Sequence, residues 1–313
     1  MTKKPIIILV GPTAVGKTSI SIDVAKKVNA EIISGDSMQI YKYMDIGTAK
    51  VKEDEKQGIK HYMIDEITPD EDFNVSKFKE KSEEYMNLIL SKNKLPMIVG
   101  GTGLYINSLV YELDFSKAIC NNDLRKKYAC EAEEKGNEFI HEKLAQIDPL
   151  SAQRIHINDT KRIIRALEIY HETGKPMSAY YKNFRKYNNN YNIAYFALNM
   201  DRKKLYDRIN IRVDMMIKEG LIDEVKELLN KGYNKNSTAL QGLGYKEIIA
   251  YLEGKYSLDE AIEILKRDTR RFAKRQLTWF RRDERINWVN VDDYISKKDI
   301  VDYIAYSINE NLL

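Results

Sequence analysis

Residues Ile6 to Val10 form a short, wholly apolar run that leads straight into Gly11-Pro12-Thr13-Ala14-Val15-Gly16-Lys17-Thr18. The spacing G-x-x-x-x-G-K-T, continued by a helical pattern from Ser19 to Ala25, is that of a phosphate-binding loop in its strand–loop–helix setting. Glycines there let successive backbone N–H groups turn inward around a polyphosphate. Lys17 adds a point charge, Thr18 offers a hydroxyl to Mg²⁺, and the helix N-terminus contributes partial positive charge. A di- or triphosphate is the expected ligand of this loop.

Other residues could share its cleft. Asp36 follows the strand-like segment Glu31 to Ser34 and is the only early carboxylate placed to enter the cleft, although a turn or helix cap would also suit it. The strand pattern Leu95 to Val99 ends in Gly100-Gly101-Thr102-Gly103. That run reads either as a tight turn or as glycines admitting a ligand that the Thr102 hydroxyl orients. Nucleotide-cleaving phosphate-loop proteins commonly place a Mg²⁺-holding acid at such a strand end, and none stands here. Arg208 and Arg212, four residues apart, share one helix face; they point to an anion between them or to separate surface acids.

Two basic clusters stand out. Lys266, Arg267, Arg270, Arg271, Lys274, Arg275, Arg281 and Arg282 interleave with Phe272, Trp279 and Phe280. Arg154, His156, Lys161, Arg162 and Arg165 form the second. Basic residues among stacking aromatics suit a nucleic acid, and a solvated helix face is the alternative. Two clusters in separate regions favour a polyanionic partner.

These residues need elements to position them. The first third alternates short apolar strands with helical patterns, which indicates a parallel sheet in an α/β core. Ligands of such sheets gather at the carboxyl ends of the strands, so Lys17, Asp36 and Thr102 should converge. From about Ser116 to Asn190 the pattern turns helical: 123–135, 137–146 and 160–173, the last framed by Asn158/Asp159 and Gly174. Ile193 to Leu198 resumes a strand pattern. The later chain is helical, with a capping box at Ser257 and Glu260 opening a long helix towards Arg282.

With 313 residues, 43% hydrophobic and 31% charged, the chain has ample length for a core, and its net charge of +4 leaves any acidic partner to local patches. Cys120 and Cys130 match no metal or redox spacing and read as reduced structural thiols. The first apolar run is too short for a signal peptide, and no stretch approaches a membrane span. A cytoplasmic protein is expected.

Together the residues resemble a family. Gly11 to Thr18, Asp36-Ser37-Met38-Gln39-Ile40-Tyr41, Met44 to Lys50, Gly100 to Tyr105, Arg162 to Glu168, Arg212-Val213-Asp214-x-Met216, Gly244 to Glu247 and Ala273-Lys274-Arg275-Gln276-x-x-Trp279-Phe280 closely resemble blocks of the tRNA dimethylallyltransferases. The resemblance implies an α/β fold: a P-loop NTPase-like parallel sheet core flanked by helices (1–115 and 191–313), with an inserted all-helical domain (116–190) that contacts tRNA. It implies transfer of a dimethylallyl group from dimethylallyl diphosphate to the exocyclic N6 amine of the adenosine 3′-adjacent to the anticodon, position 37, in tRNAs reading codons that begin with U.

By the same resemblance Asp36, Thr102, Lys17 and Arg212 are catalytic, with Asp36 the base. Gly11 to Thr18 hold the diphosphate, and Thr18 holds Mg²⁺. The expected tRNA contacts are Asp36, Ser37, Met38, Gln39, Thr102, Arg125, Gln153, Arg154, Ile155, His156 and Ile157. The anticodon stem-loop is the partner, its target base flipped out of the stack, and a monomer suffices. The alternatives are a small-molecule kinase of the phosphate-loop type and a nucleotide-gated RNA-binding protein. The absent acidic strand end argues against the first; the second leaves Asp36 and Thr102 without roles.

Overall fold

A computed structural model describes residues 3–113, 121–183 and 186–312. Their contacts divide the chain into two units, residues 1–107 with 189–313, and residues 108–188.

The larger unit is built on one parallel sheet. Its strands are β1 (Lys4–Val10), β2 (Ala30–Ser34), β3 (His61–Tyr62), β4 (Leu95–Gly100), β5 (Tyr191–Asn199) and β6 (Asn287–Asn290). They lie side by side in the order β3-β2-β4-β1-β5-β6, with Ile7 of β1 opposite Met97 of β4 and Ala194 of β5. β1 and β2 are buried almost end to end; β1 therefore reads as a continuous apolar run, while β2 carries Glu31 and Ser34 beside Ile32 and Ile33. Helices α1 (Lys17–Lys27), α2 (Val75–Ser91) and α3 (Gly103–Val110) follow strands β1, β3 and β4. Ile20 and Val24 of α1 join Ile7, Leu9 and Phe196 in one apolar cluster that also takes in Ile300, Ile304 and Ile308 near the C-terminus. The central position of β1 puts residues 11–18 in the middle of the carboxyl edge of the sheet, where ligands of such folds collect.

The smaller unit holds α4 (Asn122–Lys135), α5 (Asn137–Ile147), α6 (Pro149–Arg154) and α7 (Thr160–Thr173). Asn121 caps α4, Asp148 caps α6, and Asp159 and Gly174 frame α7. Leu124, Tyr128, Ile140, Leu144, Ile163 and Leu167 fill its core. Glu168 is fully buried there. Burial pushes its carboxyl up, but Arg125, Arg165 and the Asn121 amide hold it below the ordinary value.

The remaining helices belong to the larger unit: α8 (Arg202–Lys218), α9 (Leu221–Asn230), α10 (Tyr245–Leu252), α11 (Leu258–Phe280) and α12 (Lys297–Leu312). Ser257 and Glu260 make the capping box that opens α11. No helix of the described residues is long and apolar enough to cross a membrane. Cys130 is exposed, not a packed structural thiol, because the buried stripe of α4 runs through Leu124, Tyr128 and Ala132 on the opposite side; Cys120 lies outside the described residues.

Candidate active site

The turn after β1 enters α1 through Gly16 at φ 104°, a left-handed conformation that glycine adopts without penalty. Ala14 is held at φ 65°, where a Cβ is strained. Lys17 folds back over the turn, its ammonium donating to the carbonyls of Gly11 (2.9 Å) and Pro12 (2.8 Å). Thr13, Ala14, Gly16, Lys17 and Thr18 line a cavity of about 530 Å³. Gly11 and Pro12 contribute only backbone beneath it, and Val15 is buried.

The same cavity is lined by Asp36, Gln39, Gly100, Arg208, Arg212 and Gln276. Loss of solvent around Lys17 lowers its pKa to about 8; the negative charge of Asp36 opposes that shift and Arg212 adds to it. Arg212 is itself pushed down by desolvation, against the fields of Asp36 and Glu219. Three cationic groups thus face one cavity, which is the electrostatic arrangement a polyphosphate neutralises. Arg208 and Arg212 both reach it, as their spacing along α8 allows. Arg208 stands beside the turn, 3.7 Å from where a Cβ on Gly16 would lie.

Asp36 leaves the end of β2 and is oriented locally: its Oδ1 accepts from the Met38 N–H at 2.8 Å. Thr102 fixes the neighbouring residues. Its N–H donates to the Gly35 carbonyl (3.2 Å), its hydroxyl oxygen accepts from the Ser37 N–H (3.1 Å), and the hydroxyl donates to Ser37 Oγ (3.4 Å). Gln39 accepts from Ser34 Oγ (3.0 Å) and lines the cavity. Ser37, Met38 and Thr102 are not among the lining residues. The structure therefore brings Lys17, Asp36 and Arg212 together directly, and Thr102 through Ser37.

At 100–103 the space that a Cβ would take is filled by protein, while Gly100 itself also lines the cavity. A Cβ on Gly100 would meet the Gly35 backbone at 2.3 Å, one on Gly101 the Gln276 amide at 2.1 Å, and one on Gly103 the Trp279 ring at 2.2 Å. Helix α11 thus packs into the strand end. Gln276 is buried there, its Oε1 accepting from the Thr13 N–H (2.9 Å) and its Nε2 donating to the Gly101 carbonyl (3.0 Å). Sequence reasoning placed Gln276 in a basic run and missed this bridge. The available signal was a lone amide on the stripe formed by Leu265, Ala273 and Phe280, all buried.

The basic faces separate by environment. Lys266, Arg267 and Arg271 pair with Asp214, Glu263 or Asp268. Beyond them Lys274, Arg275, Arg281 and Arg282 are exposed, Arg275 over the Phe272 ring and Arg282 over Trp279. In the smaller unit Gln153, Arg154 and His156 are exposed, but Ile155 is buried in the core and offers only backbone. Its carbonyl, like that of Ala152, lies within hydrogen-bond distance of His141 Nε2. Arg125 lies on Glu168, with Nε to Oε1 at 2.8 Å and Nη2 to Oε2 at 3.0 Å.

Comparison with known proteins follows the same outline. The profile of the IPP transferase family matches residues 39–283. A tRNA dimethylallyltransferase of Acetivibrio thermocellus is 57% identical over 301 residues, 96% of this chain and 96% of that protein. Another, from Clostridioides difficile, is 52% identical over 98% of this chain and all of that protein. Among solved structures, a tRNA isopentenylpyrophosphate transferase of Staphylococcus epidermidis is 44% identical with a TM-score of 0.72, covering 98% of this chain and 99% of that one. A eukaryotic dimethylallyltransferase crystallised acting on tRNA superposes with a TM-score of 0.79 at 29% identity, over 97% of this chain and 80% of that one. The shared architecture is the P-loop NTPase-like fold of these enzymes, and the chain belongs to the IPP transferase family.

Proposed function

We propose that this protein transfers the dimethylallyl group of dimethylallyl diphosphate to the N6 amine of the adenosine 3′-adjacent to the anticodon, position 37, in tRNAs that read codons beginning with U. The observation that carries the reading is the meeting of Lys17, Arg212 and Asp36 in one cavity at the end of β1 and β2. The amine's lone pair is delocalised into the purine, so attack needs a base to take the proton as the new C–N bond forms. Asp36 is that base, held by the Met38 amide through one oxygen. The electrons of the breaking C–O bond leave with diphosphate, whose charge Lys17, Arg208, Arg212 and the amides of the 13–18 turn neutralise. A base at this depth must leave its stack.

Magnesium fits the donor set. Among the described residues no cluster of three or more His, Cys, Asp or Glu side chains gathers. Mg²⁺ would instead be held by the Thr18 hydroxyl, which lines the cavity, and by oxygens of the donor, as this ion is commonly held beside phosphates. When bound, it supplies positive charge to the leaving diphosphate.

The tRNA contacts in this reading are Asp36 to Gln39, Thr102, Arg125, the exposed part of 153–157 and the exposed end of α11. The smaller unit, read as the 116–190 insertion, grips the anticodon stem-loop. The protein works as a monomer in the cytoplasm. Incubation with Mg²⁺, labelled dimethylallyl diphosphate and unmodified tRNA, followed by nucleoside analysis, tests this. Label on an adenosine beside the anticodon is expected. Label on free AMP alone, or use of ATP as a phosphoryl donor without transfer, would contradict it.

A further inference from the structure

Part of the cavity wall is an irregular segment that contributes Thr48 and Ala49 to the lining. It is a strained piece of chain: Tyr43 sits at φ 67° and Ala49 at φ 44°, left-handed conformations that a Cβ disfavours. Such a wall keeps its shape only if other parts of the fold hold it.

One carboxylate does much of that holding. The consecutive amides of Asp45, Ile46 and Gly47 all donate to Glu224 of α9, at 2.9 and 2.8 Å to Oε2 and 3.1 Å to Oε1. The Tyr245 hydroxyl donates to the same Oε1 at 2.7 Å. A run of inward-pointing amides of this kind is an anion-binding nest, here filled by the protein's own side chain. Tyr245 is fully buried, and its ring fills the space where a Cβ on Gly47 would stand, at 2.5 Å. The grip continues along the segment: Thr48 Oγ1 donates to the Met44 carbonyl (2.6 Å), and the Thr48 carbonyl accepts from Gln39 Nε2 (3.4 Å). Glu224 and Tyr245 are not among the residues lining the cavity.

We propose that Glu224 and Tyr245 are positioning residues of the transferase. They set the 44–49 wall at the distance from Lys17 and Asp36 that the hydrocarbon of the donor requires. This rests on the proposed donor, dimethylallyl diphosphate. The hydrocarbon has no charge to hold it, so wall shape must do so, and a displaced wall loses contacts that hold the donor.

The test compares Glu224→Gln, Glu224→Asp and Tyr245→Phe with the unaltered protein. Measured are transfer kinetics for labelled donor at saturating unmodified tRNA, affinity for inorganic diphosphate, and thermal midpoint. Glu224→Gln keeps the size but turns one acceptor into an NH₂ facing amide donors. A rise of about tenfold in donor KM is expected, with kcat within about threefold. Inorganic diphosphate, which has no hydrocarbon, should bind as before. Glu224→Asp should recover part of the loss, and Tyr245→Phe should show a smaller change of the same sign. Unchanged donor KM, or a loss of diphosphate affinity and thermal midpoint in step with KM, would overturn the proposal. Failure of the unaltered protein to transfer would overturn the donor assignment and this proposal with it.

Discussion

Gln276 Nε2 donates to the carbonyl oxygen of Gly101 at 3.0 Å, and through its other amide atom the same side chain accepts from Thr13. One buried amide thereby ties the turn proposed to receive phosphate to the strand end that carries Thr102, whose hydroxyl accepts from the Ser37 N–H beside Asp36. The halves of the site proposed to take donor and acceptor are thus joined by a hydrogen-bonded path within the fold.

Replacing Gly101 by alanine should break that path. The new Cβ would lie 2.1 Å from Gln276 Nε2, so the amide must leave its place. Loss of about 1–3 kcal/mol of stability is expected, with kcat/KM for transfer falling about tenfold to a hundredfold. Gln276→Ala should cost a similar amount alone. In the double variant the two effects should not add, because both remove one bridge. Full additivity in melting and kinetic measurements would place the two residues in separate roles.

The pH dependence of donor capture should report Lys17. Loss of solvent pulls its pKa down to about 8, partly offset by Asp36. A lysine lowered in this way is charged below that pH and neutral above it, and only the charged form attracts diphosphate. The kcat/KM for donor should therefore fall as pH rises through about 8 in the free enzyme. Lys17→Met should abolish that limb along with most of the activity. A flat profile to pH 9.5 would contradict the assignment.

Stability in acid should follow Glu31, which is not among the residues lining the cavity. Burial pushes its carboxyl up, but hydrogen bonds from Lys94, Tyr62 and Lys92 outweigh burial and hold it down to about 2. A depressed carboxylate contributes stability above its ordinary value of 4.5 and loses it as pH falls towards 2. Glu31→Gln should cost about 2 kcal/mol at pH 7, the partly exposed lysines being able to turn to water. The gap in urea midpoint between variant and parent should narrow between pH 4.5 and 2. A gap independent of pH would assign the loss to packing alone.

Much of this layout is legible in the residues themselves. The strands β1 and β4 and the middle of β5 are largely buried and so carry apolar runs. Helix α7 and helix α11 carry their caps in sequence, at Asp159, Gly174 and Ser257. The two edge strands were not legible: β3 is two residues long, and β6 is Asn287-Trp288-Val289-Asn290, with polar residues at both ends. Their pairing comes from the sheet beside them and not from local pattern. The site shows the same division. Lys17 stands out by its motif, Asp36 and Arg212 are left open by residue type and singled out by the family resemblance, while Gln276 and Glu224 make contacts across 175 and 179 residues of chain, which no local spacing reveals.

The most direct measurement is single-turnover transfer from labelled dimethylallyl diphosphate to unmodified tRNA by Asp36→Ala, alongside tRNA binding by the same variant. A base acts as the proton leaves, so the rate at saturation should fall about a hundredfold to ten-thousandfold, with tRNA affinity held within about threefold. Normal turnover at saturating tRNA with a large loss of tRNA binding would contradict the assignment of Asp36 as the base.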